Sequence, residues 1–284
     1  MKFSNLLIFT ILFSAGAHAT VNQPDVVYGE DGRFEPYDRP NFHDETRSVA
    51  AQINKKHFGV ESLIGYSIVG PTHQQGYHLC NGEKFSDQPV IANCSGALVA
   101  PDVIMTAGHC LETVEDCKNF DWVFGYEMNQ KSGNPKTLER NNTYQCKQVI
   151  AQSLINGVDY AFVRLDRKVI GREPMKLAPQ SYKAKIGDSL VMFGYPSGLP
   201  LKVTEGGRVN NIENHLLVTT LDAFHVNSGS PVIDEKSGEI VGILVSGRPD
   251  YVPDHKRGCD IVNVLPESMG GERVTSLHVV PRNF

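Results

Sequence analysis

The sequence predicts an all-β protein built from short strands. From about residue 62 onward, short apolar runs rich in Val, Ile, Leu and aromatic residues alternate with Gly, Pro, Asn and Asp. There is no internal repeat, and a helical pattern is confined to residues 47–56, where we expect a short helix. This texture is typical of a β-sandwich or barrel. The candidate strands cover residues 94–100, 103–106, 122–126, 160–165, 189–195, 216–220, 230–233 and 240–245.

The first nineteen residues have the features of a secretory leader. Lys2 supplies a positive charge, residues 6–13 form an apolar core, and Ala17 and Ala19 match the small residues that signal peptidase reads. The apolar run is far shorter than the roughly 20 residues that span a bilayer. We therefore expect residues 1–19 to be a signal peptide, with no membrane anchor. The mature chain would be secreted, or periplasmic if the source is a Gram-negative bacterium.

The remaining chain, residues 20–284, is long enough for one large domain or two small ones. Residues 20–61 are polar and contain several prolines, which predicts an N-terminal extension or a pro-segment before a domain over 62–284. The stretch 171–181 predicts a link between two sub-domains, over about 62–172 and 182–284. The 27 basic and 32 acidic side chains give no sign of a nucleic-acid partner.

The six cysteines predict three disulfides, since the count is even and the chain carries a leader. No CxxC pair exists and the cysteines are scattered, so we expect no zinc site. The sequence alone leaves their connectivity open.

Three segments carry residues typical of nucleophilic catalysis. In residues 94–110, two cysteines bracket a pair of apolar runs, and His109 lies directly before the second cysteine. In residues 158–165, Asp159 begins an apolar strand, and in residues 226–231 a turn of small residues contains Ser228. A serine hydroxyl becomes a nucleophile when an imidazole removes its proton, and the imidazole needs a carboxylate on its other nitrogen.

These segments resemble the three active-site blocks of trypsin-like serine proteases. Residues 106–110 (Thr-Ala-Gly-His-Cys), 159–165 (Asp-Tyr-Ala-Phe-Val-Arg-Leu) and 227–231 (Asn-Ser-Gly-Ser-Pro) occur in the order His, Asp, Ser of that family. The bacterial branch that includes the glutamyl endopeptidases is the most similar, and residues 195–200 share its texture. The resemblance covers about residue 62 to the C-terminus. It implies two antiparallel six-stranded β-barrels with the active site in the cleft between them.

The resemblance also assigns roles to residues. His109 would be the base, Asp159 would orient it, Ser228 would be the nucleophile, and the N–H groups of Val226 and Ser228 would form the oxyanion hole. Asp166 and Ser230 are the rivals of Asp159 and Ser228. Asp166 follows the strand, where an acid would sit in a turn, and the family pattern places the nucleophile directly after Asn227, so we favour Asp159 and Ser228. Cys94–Cys110 is the expected disulfide, which leaves Cys117–Cys146 and Cys80–Cys259 as a plausible remaining set.

Two positions depart from the family pattern. Val226 stands where the family has Gly, and its β-branched side chain restricts the backbone that carries one oxyanion donor. Losing that donor would cost roughly 10²–10³ in rate. Asn227 stands where animal digestive enzymes carry the Asp that receives the freed N-terminal amine. Activation through that ion pair is therefore not expected, although trimming to Val26 stays open.

Specificity is open at the sequence level. Asp222 lies six residues before Ser228. In trypsin-like proteases an Asp at that position forms the floor of the pocket that selects Arg or Lys, so the resemblance implies that role, and the alternative is an Asp that caps a turn without touching substrate. Ser246 and Gly247 are the other expected substrate-binding residues. Leu244 stands where glutamyl endopeptidases have a His, which argues against Glu specificity. His225 is expected to be an exposed side chain beside the cleft.

The sequence thus predicts a secreted serine endopeptidase that needs no cofactor or metal. Its partners would be protein or peptide substrates and proteinaceous inhibitors, and the chain would be a monomer. Two alternatives remain, a catalytically silent binding protein of the same fold, motivated by Val226, and a hydrolase that favours esters.

Overall fold

The computed structural model describes residues 26–113, 115–282 and 284. The expected signal peptide over 1–19 lies outside the described residues. No helix in the described part of the chain is long and apolar enough to span a membrane. The strands are Val27–Tyr28 (β1), Arg33–Phe34 (β2), Val49–Asn54 (β3), Phe58–Glu61 (β4), Gly65–Ile68 (β5), Ala92–Ala100 (β6), Val103–Thr106 (β7), Phe120–Phe124 (β8), Leu138–Glu139 (β9), Thr143–Ile155 (β10), Val158–Leu165 (β11), Ser189–Gly194 (β12), Lys202–Glu213 (β13), Leu216–Thr219 (β14), Pro231–Asp234 (β15), Ile240–Ser246 (β16), Tyr251–Asp254 (β17), Cys259–Val262 (β18), Val264–Leu265 (β19) and Glu272–Ser276 (β20).

Helices are short and lie between the strands. The α-helices are His43–Arg47 (α1), His73–Tyr77 (α2) and Asp116–Asn119 (α3), and 3₁₀ turns cover Pro36–Asp38, Pro40–Phe42, Lys55–His57, Gly108–Leu111, Arg140–Asn142, Pro196–Gly198, Glu267–Met269 and Leu277–Val279.

Six antiparallel strands form a first closed barrel. Their order is β10-β11-β7-β6-β3-β8, and β8 pairs with β10 to complete the ring. The β10–β11 hairpin turns at Asn156 and Gly157, whose φ angles of 56° and 75° are those of a tight two-residue turn. An apolar cluster drawn only from residues of this half packs between its strands.

A second closed barrel follows. Its order is β12-β15-β16-β20-β14-β13, and β12 pairs with β13 to close it, while β2 adds to β13 outside the ring. It has its own apolar cluster, and a third cluster contains residues of both halves. The two barrels are therefore packed against each other. The all-β prediction and the two six-stranded barrels implied by the family resemblance are both confirmed.

The helix expected over residues 47–56 is wrong, because the segment forms strand β3. The side chains of residues 49–53 are all buried, since β3 lies between β6 and β8 and packs on both faces. A strand buried on both faces shows no alternation of apolar and polar residues. Its alanines therefore resembled a helix in the sequence.

The predicted domain boundary at residue 62 lies too late in the chain. Strand β3 is part of the first barrel, while β1 pairs with β19 and β2 pairs with β13 in the second half. Residues 26–61 are thus packed parts of the domain. The segment over 171–181 crosses from one barrel to the other, with Met175 N–H donating to Leu98 O and Ala178 N–H to Ile240 O.

All six cysteines are paired. The Cys94–Cys110 disulfide confirms the expected pair, and Cys117–Cys146 and Cys80–Cys259 are the other two bonds. Cys80–Cys259 joins the long insertion between β3 and β6 to the β17–β18 hairpin of the second barrel.

A buried ion pair between Lys202 and Glu35 links the N-terminal segment to the second barrel. Lys202 at the start of β13 has no exposed surface, and its Nζ lies 3.2 Å from an Oε atom of Glu35. The same Nζ donates to Gln88 Oε1 at 2.9 Å and to Pro200 O at 2.8 Å. Burial lowers the pKa of Lys202 to about 8, which still leaves the amine charged at neutral pH.

We expect Lys202→Met to destabilise the protein by about 3–5 kcal/mol, because it leaves the Glu35 carboxylate buried without a cation. Urea unfolding at pH 7 with the disulfides intact measures the loss. The double variant Lys202→Met/Glu35→Gln is the matched control and should recover much of it. An unchanged free energy of unfolding in Lys202→Met would show that this ion pair does not hold the N-terminal segment.

Candidate active site

His109 lies in the 3₁₀ turn that follows β7. The Cys94–Cys110 disulfide ties this turn to β6, with Cα atoms 6.2 Å apart. Gln152 on β10 donates from Nε2 to the carbonyl oxygens at both ends of the turn, Gly108 at 2.7 Å and Leu111 at 2.8 Å. The backbone that carries the imidazole is therefore fixed from two sides.

Asp159 contacts the imidazole of His109. It is the second residue of β11, directly beyond the tight hairpin turn, and its Oδ2 lies 2.6 Å from His109 Nδ1. Its Oδ1 accepts the N–H of Gly108 and, at 3.2 Å, the N–H of His109. The carboxylate thus favours the tautomer with a proton on Nδ1, which leaves Nε2 as the basic nitrogen.

The Ser228 turn packs directly against the His109 loop. The N–H of Ser95 on β6 donates to Ser228 O at 2.8 Å, and Cys110 Sγ lies 3.8 Å from the same oxygen. Gly229 has φ of +86°, and a Cβ there would lie 2.1 Å from Ser95 O and 2.2 Å from Thr106 Oγ1. Only glycine allows this approach, so the third block brings Ser228 beside the first two. Ser228 itself is partly exposed.

The rival residues lie in positions unsuited to the chemistry. Ser230 is fully buried, with its Oγ 3.4 Å from Asn227 Oδ1. Asp166 follows the far end of β11, where it accepts the N–H of Gln145 and pairs with Arg167.

Val226 adopts a left-handed backbone, with φ of 77°. A β-branched residue in this region is a true outlier and stores about 1–3 kcal/mol of strain. Its own carbonyl lies 3.4 Å from Ser95 Oγ, and the preceding carbonyl, of His225, accepts the Ser197 N–H at 2.6 Å. The peptide is trans, so the Val226 N–H points away from Ser197. The surrounding contacts hold Val226 in the backbone conformation that suits glycine.

His225 is an exposed side chain, as expected. Partial shielding from water and the nearby His109 lower the pKa of its imidazole. The backbone N–H of His225 donates to the carboxylate of Asp250 at 3.1 Å. Backbone contacts on both sides therefore fix the residue before Val226.

Asp222 is engaged by the N-terminal segment. It is 3% exposed, and it accepts the N–H of Tyr28 on Oδ1 at 2.7 Å and the N–H of Gly32 on Oδ2 at 2.6 Å. The Tyr28 hydroxyl donates to Glu272 at 3.0 Å, so this residue connects two buried acids. Burial raises the pKa of Asp222 to about 6.

The other expected specificity residues lie at the end of β16. Ser246 is exposed and Gly247 is buried. Leu244 is 1% exposed, and its carbonyl accepts the Gly229 N–H at 2.8 Å. The side chain of Leu244 belongs to the apolar cluster of the second barrel, and its backbone contacts the Ser228 turn.

Several residues that position this site were not found from the sequence. They are Gln152 under the His109 turn, Ser95 under the Ser228 turn, and Tyr28 beside Asp222. Each acts through contacts that are distant along the chain, and no motif marks these residues. The similarity of residues 195–200 to the family did mark the segment that contains Ser197.

Among the described residues, Cys94, His109 and Cys110 lie close enough together to resemble a metal site. Both sulfur atoms are joined in one disulfide, so neither is a thiolate ligand.

A comparison with protein families matches the part of the chain that carries these residues. The family model described as "Trypsin-like peptidase domain" matches residues 94–243, which contain all three blocks. Among curated proteins, none matches this chain significantly.

Two solved structures are examples of chains similar to this one. A glutamyl endopeptidase in complex with MPD is 20% identical, with a TM-score of 0.50 over 89% of this chain and 96% of its own. The Rv3671c protease in an inactive form is 15% identical, with a TM-score of 0.45 over 80% of this chain and 88% of its own. The family match covers more than half of the sequence, and the chain belongs to the trypsin-like peptidase family.

Proposed function

We propose that this protein is a secreted serine endopeptidase. The observation that carries the proposal is the 2.6 Å contact between His109 Nδ1 and Asp159 Oδ2, next to a partly exposed Ser228. Family membership supports peptide-bond hydrolysis, and the residues present supply each role that the reaction requires.

The reaction would begin with attack of Ser228 Oγ on the scissile carbonyl. His109 Nε2 takes the hydroxyl proton, and Asp159 stabilises the resulting imidazolium. The N–H groups of Val226 and Ser228 donate to the oxyanion of the tetrahedral intermediate. His109 then gives its proton to the leaving amine, and the acyl group stays on Ser228. A water molecule, deprotonated by His109, releases the acid and restores the serine.

Export is supported by the leader and by the disulfides. Residues 1–19 have the pattern of a signal peptide, and three disulfides are typical of a protein in an oxidising compartment. We therefore assign the protein to the extracellular medium, or to the periplasm of a Gram-negative source. Residues before Val26 would be removed as a leader and a short pro-segment.

The main alternative is a silent binding protein of the same fold. Val226 motivated it, because a flipped peptide at this position would remove an oxyanion donor. The left-handed φ of Val226, and the Ser197 N–H that holds the His225 carbonyl, favour the active arrangement. An esterase-like hydrolase with the same triad differs in substrate range and is separated by the substrate tests below.

A preference for Arg or Lys has less support than a pocket with another selectivity. Both carboxylate oxygens of Asp222 already accept backbone N–H groups, and the side chain is almost fully buried. Of the two roles that the sequence left open for Asp222, we propose the structural one, in which it holds the N-terminal segment. Ser246 and Gly247 would still bind the extended substrate backbone.

Fluorophosphonate labelling of residues 20–284 and of a form trimmed to Val26, read by intact mass, tests the nucleophile. We expect one adduct, none on Ser228→Ala, and strongly slowed labelling of His109→Ala, because the base is lost. Asp159→Asn should lower kcat by about 10⁴ through the wrong tautomer. Absence of an adduct on either folded form would favour the binding protein.

A library of quenched peptides tests the role of Asp222 in selectivity. We expect wild type and Asp222→Asn to share one profile of residues before the scissile bond. Cleavage after Arg or Lys by the wild type, lost in Asp222→Asn, would instead mean that Asp222 contacts the substrate. Turnover of ester substrates with no peptide cleaved would favour the esterase.

Asp222 should also impose a pH dependence on stability. Its pKa of about 6 exceeds the roughly 3.9 of an unfolded chain, so the folded protein binds the proton more tightly. Its contribution to stability is then greatest below about pH 4 and falls by about 3 kcal/mol as the pH rises through 6.

Urea unfolding of wild type and Asp222→Asn between pH 4 and 7 measures this difference. The stability of the wild type relative to the variant should fall across that range. Glu30→Gln, at an exposed site in the same segment, gives the control. A difference independent of pH would contradict the raised pKa of Asp222.

A further inference from the structure

Two insertions meet behind the turn that carries Val226. One contains helix α2, which Thr72 and Gln75 cap reciprocally, and the other is the β17–β18 hairpin. The Cys80–Cys259 disulfide joins them, and the Cys80 N–H donates to Asp260 O at 2.8 Å. We call residues 72–80 together with 250–260 the bracket.

A chain of hydrogen bonds runs from the bracket to Ser197. His73 on α2 is fully buried, and its Nε2 lies 2.6 Å from the Tyr251 hydroxyl. That hydroxyl lies 2.5 Å from Ser197 Oγ, and the Tyr77 hydroxyl donates to Ser197 O at 3.0 Å. Burial lowers the pKa of His73 to about 3, so the imidazole is neutral. In either tautomer the Tyr251 hydroxyl can donate to one neighbour and accept from the other.

The bracket holds both backbone polar groups of His225, the residue before Val226, directly or through Ser197. The His225 N–H donates to Asp250, which belongs to the bracket, and the His225 carbonyl accepts the N–H of Ser197, which the bracket holds. The Tyr251 ring also packs on Phe224, with centroids 5.8 Å apart. Segment 224–226 is thus held by contacts with the bracket and with Ser197.

This clamp matters because Val226 does not favour its own conformation. A glycine adopts a left-handed backbone at no steric cost, whereas a β-branched residue needs external contacts to stay there. The backbone of Ser197 is also left-handed, with φ of 54°. A serine needs contacts with its neighbours to keep this conformation, so those contacts also direct its N–H toward the His225 carbonyl.

We propose that Tyr251 is a positioning residue, which acts through Ser197 to keep the Val226 N–H in the oxyanion hole. This inference rests on the proposed function and explains how the chain tolerates Val226 at a position the family gives to glycine. It assigns a catalytic consequence to two insertions that lie outside the three active-site blocks.

The test is a double-mutant cycle between Tyr251→Phe and Val226→Gly. The probe is a quenched peptide that the wild type cleaves. Tyr251→Phe removes one hydroxyl and should lower kcat by about 10-fold or more, toward the roughly 10²–10³ expected for loss of one oxyanion donor, with little change in KM. In the Val226→Gly background the same change should cost at most about 2-fold, as expected for uncoupled sites.

Controls separate this role from general stability. Tyr182→Phe, whose hydroxyl faces Asp188 on the second barrel, should leave kcat unchanged. Ser197→Ala removes the same hydrogen bond from its other side, keeps the backbone N–H, and should lower kcat as Tyr251→Phe does. It therefore replaces Tyr251→Phe in the cycle if Tyr251→Phe folds poorly.

An equal loss of kcat in both backgrounds, or no loss in either, would overturn the proposal. If wild type and Val226→Gly are never labelled by fluorophosphonate, the proposed function fails instead. Crystal structures of wild type and Tyr251→Phe then decide the inference. A flipped peptide bond between His225 and Val226 in Tyr251→Phe supports the inference, and an unchanged peptide bond overturns it.

Discussion

The site depends on the close approach of the Ser228 turn to the first barrel. Gly229 sits against Ser95 O and Thr106 Oγ1 at distances that exclude any side chain, and the Ser95 N–H fixes the Ser228 carbonyl. His109 is set by contacts within the first barrel, so this approach decides whether serine and imidazole meet. The proposed triad is therefore a property of the interface between the barrels, which neither barrel could form alone.

The N-terminal segment is a structural part of the second barrel. Lys202 and Glu35 form a buried ion pair there, and the Tyr28 and Gly32 amides satisfy Asp222. Buried charges without such partners would be costly, since neither carboxylate is solvated. Because both carboxylate oxygens of Asp222 accept backbone N–H groups, the structural role that we propose for it leaves no oxygen for a cationic substrate side chain.

The sequence predicted what local patterns encode. Apolar runs located strands such as β7 and β11, and the His109, Asp159 and Ser228 blocks identified the family. Strand β3 was missed because a strand buried on both faces has no period of two. The partners of Asp222 were missed because Tyr28 lies 194 residues away, and pairing over that distance has no local signature.

Val226 shows how a local departure from a family pattern can be offset by distant structure. The residue carries strain that its own chemistry does not relieve, yet Ser95 holds its carbonyl side and the bracket holds its amide side through His225 and Ser197. Strain of this kind persists only where the surroundings over-determine the conformation. We infer that the insertions and their disulfide supply that constraint, which would make Val226 compatible with the proposed oxyanion hole.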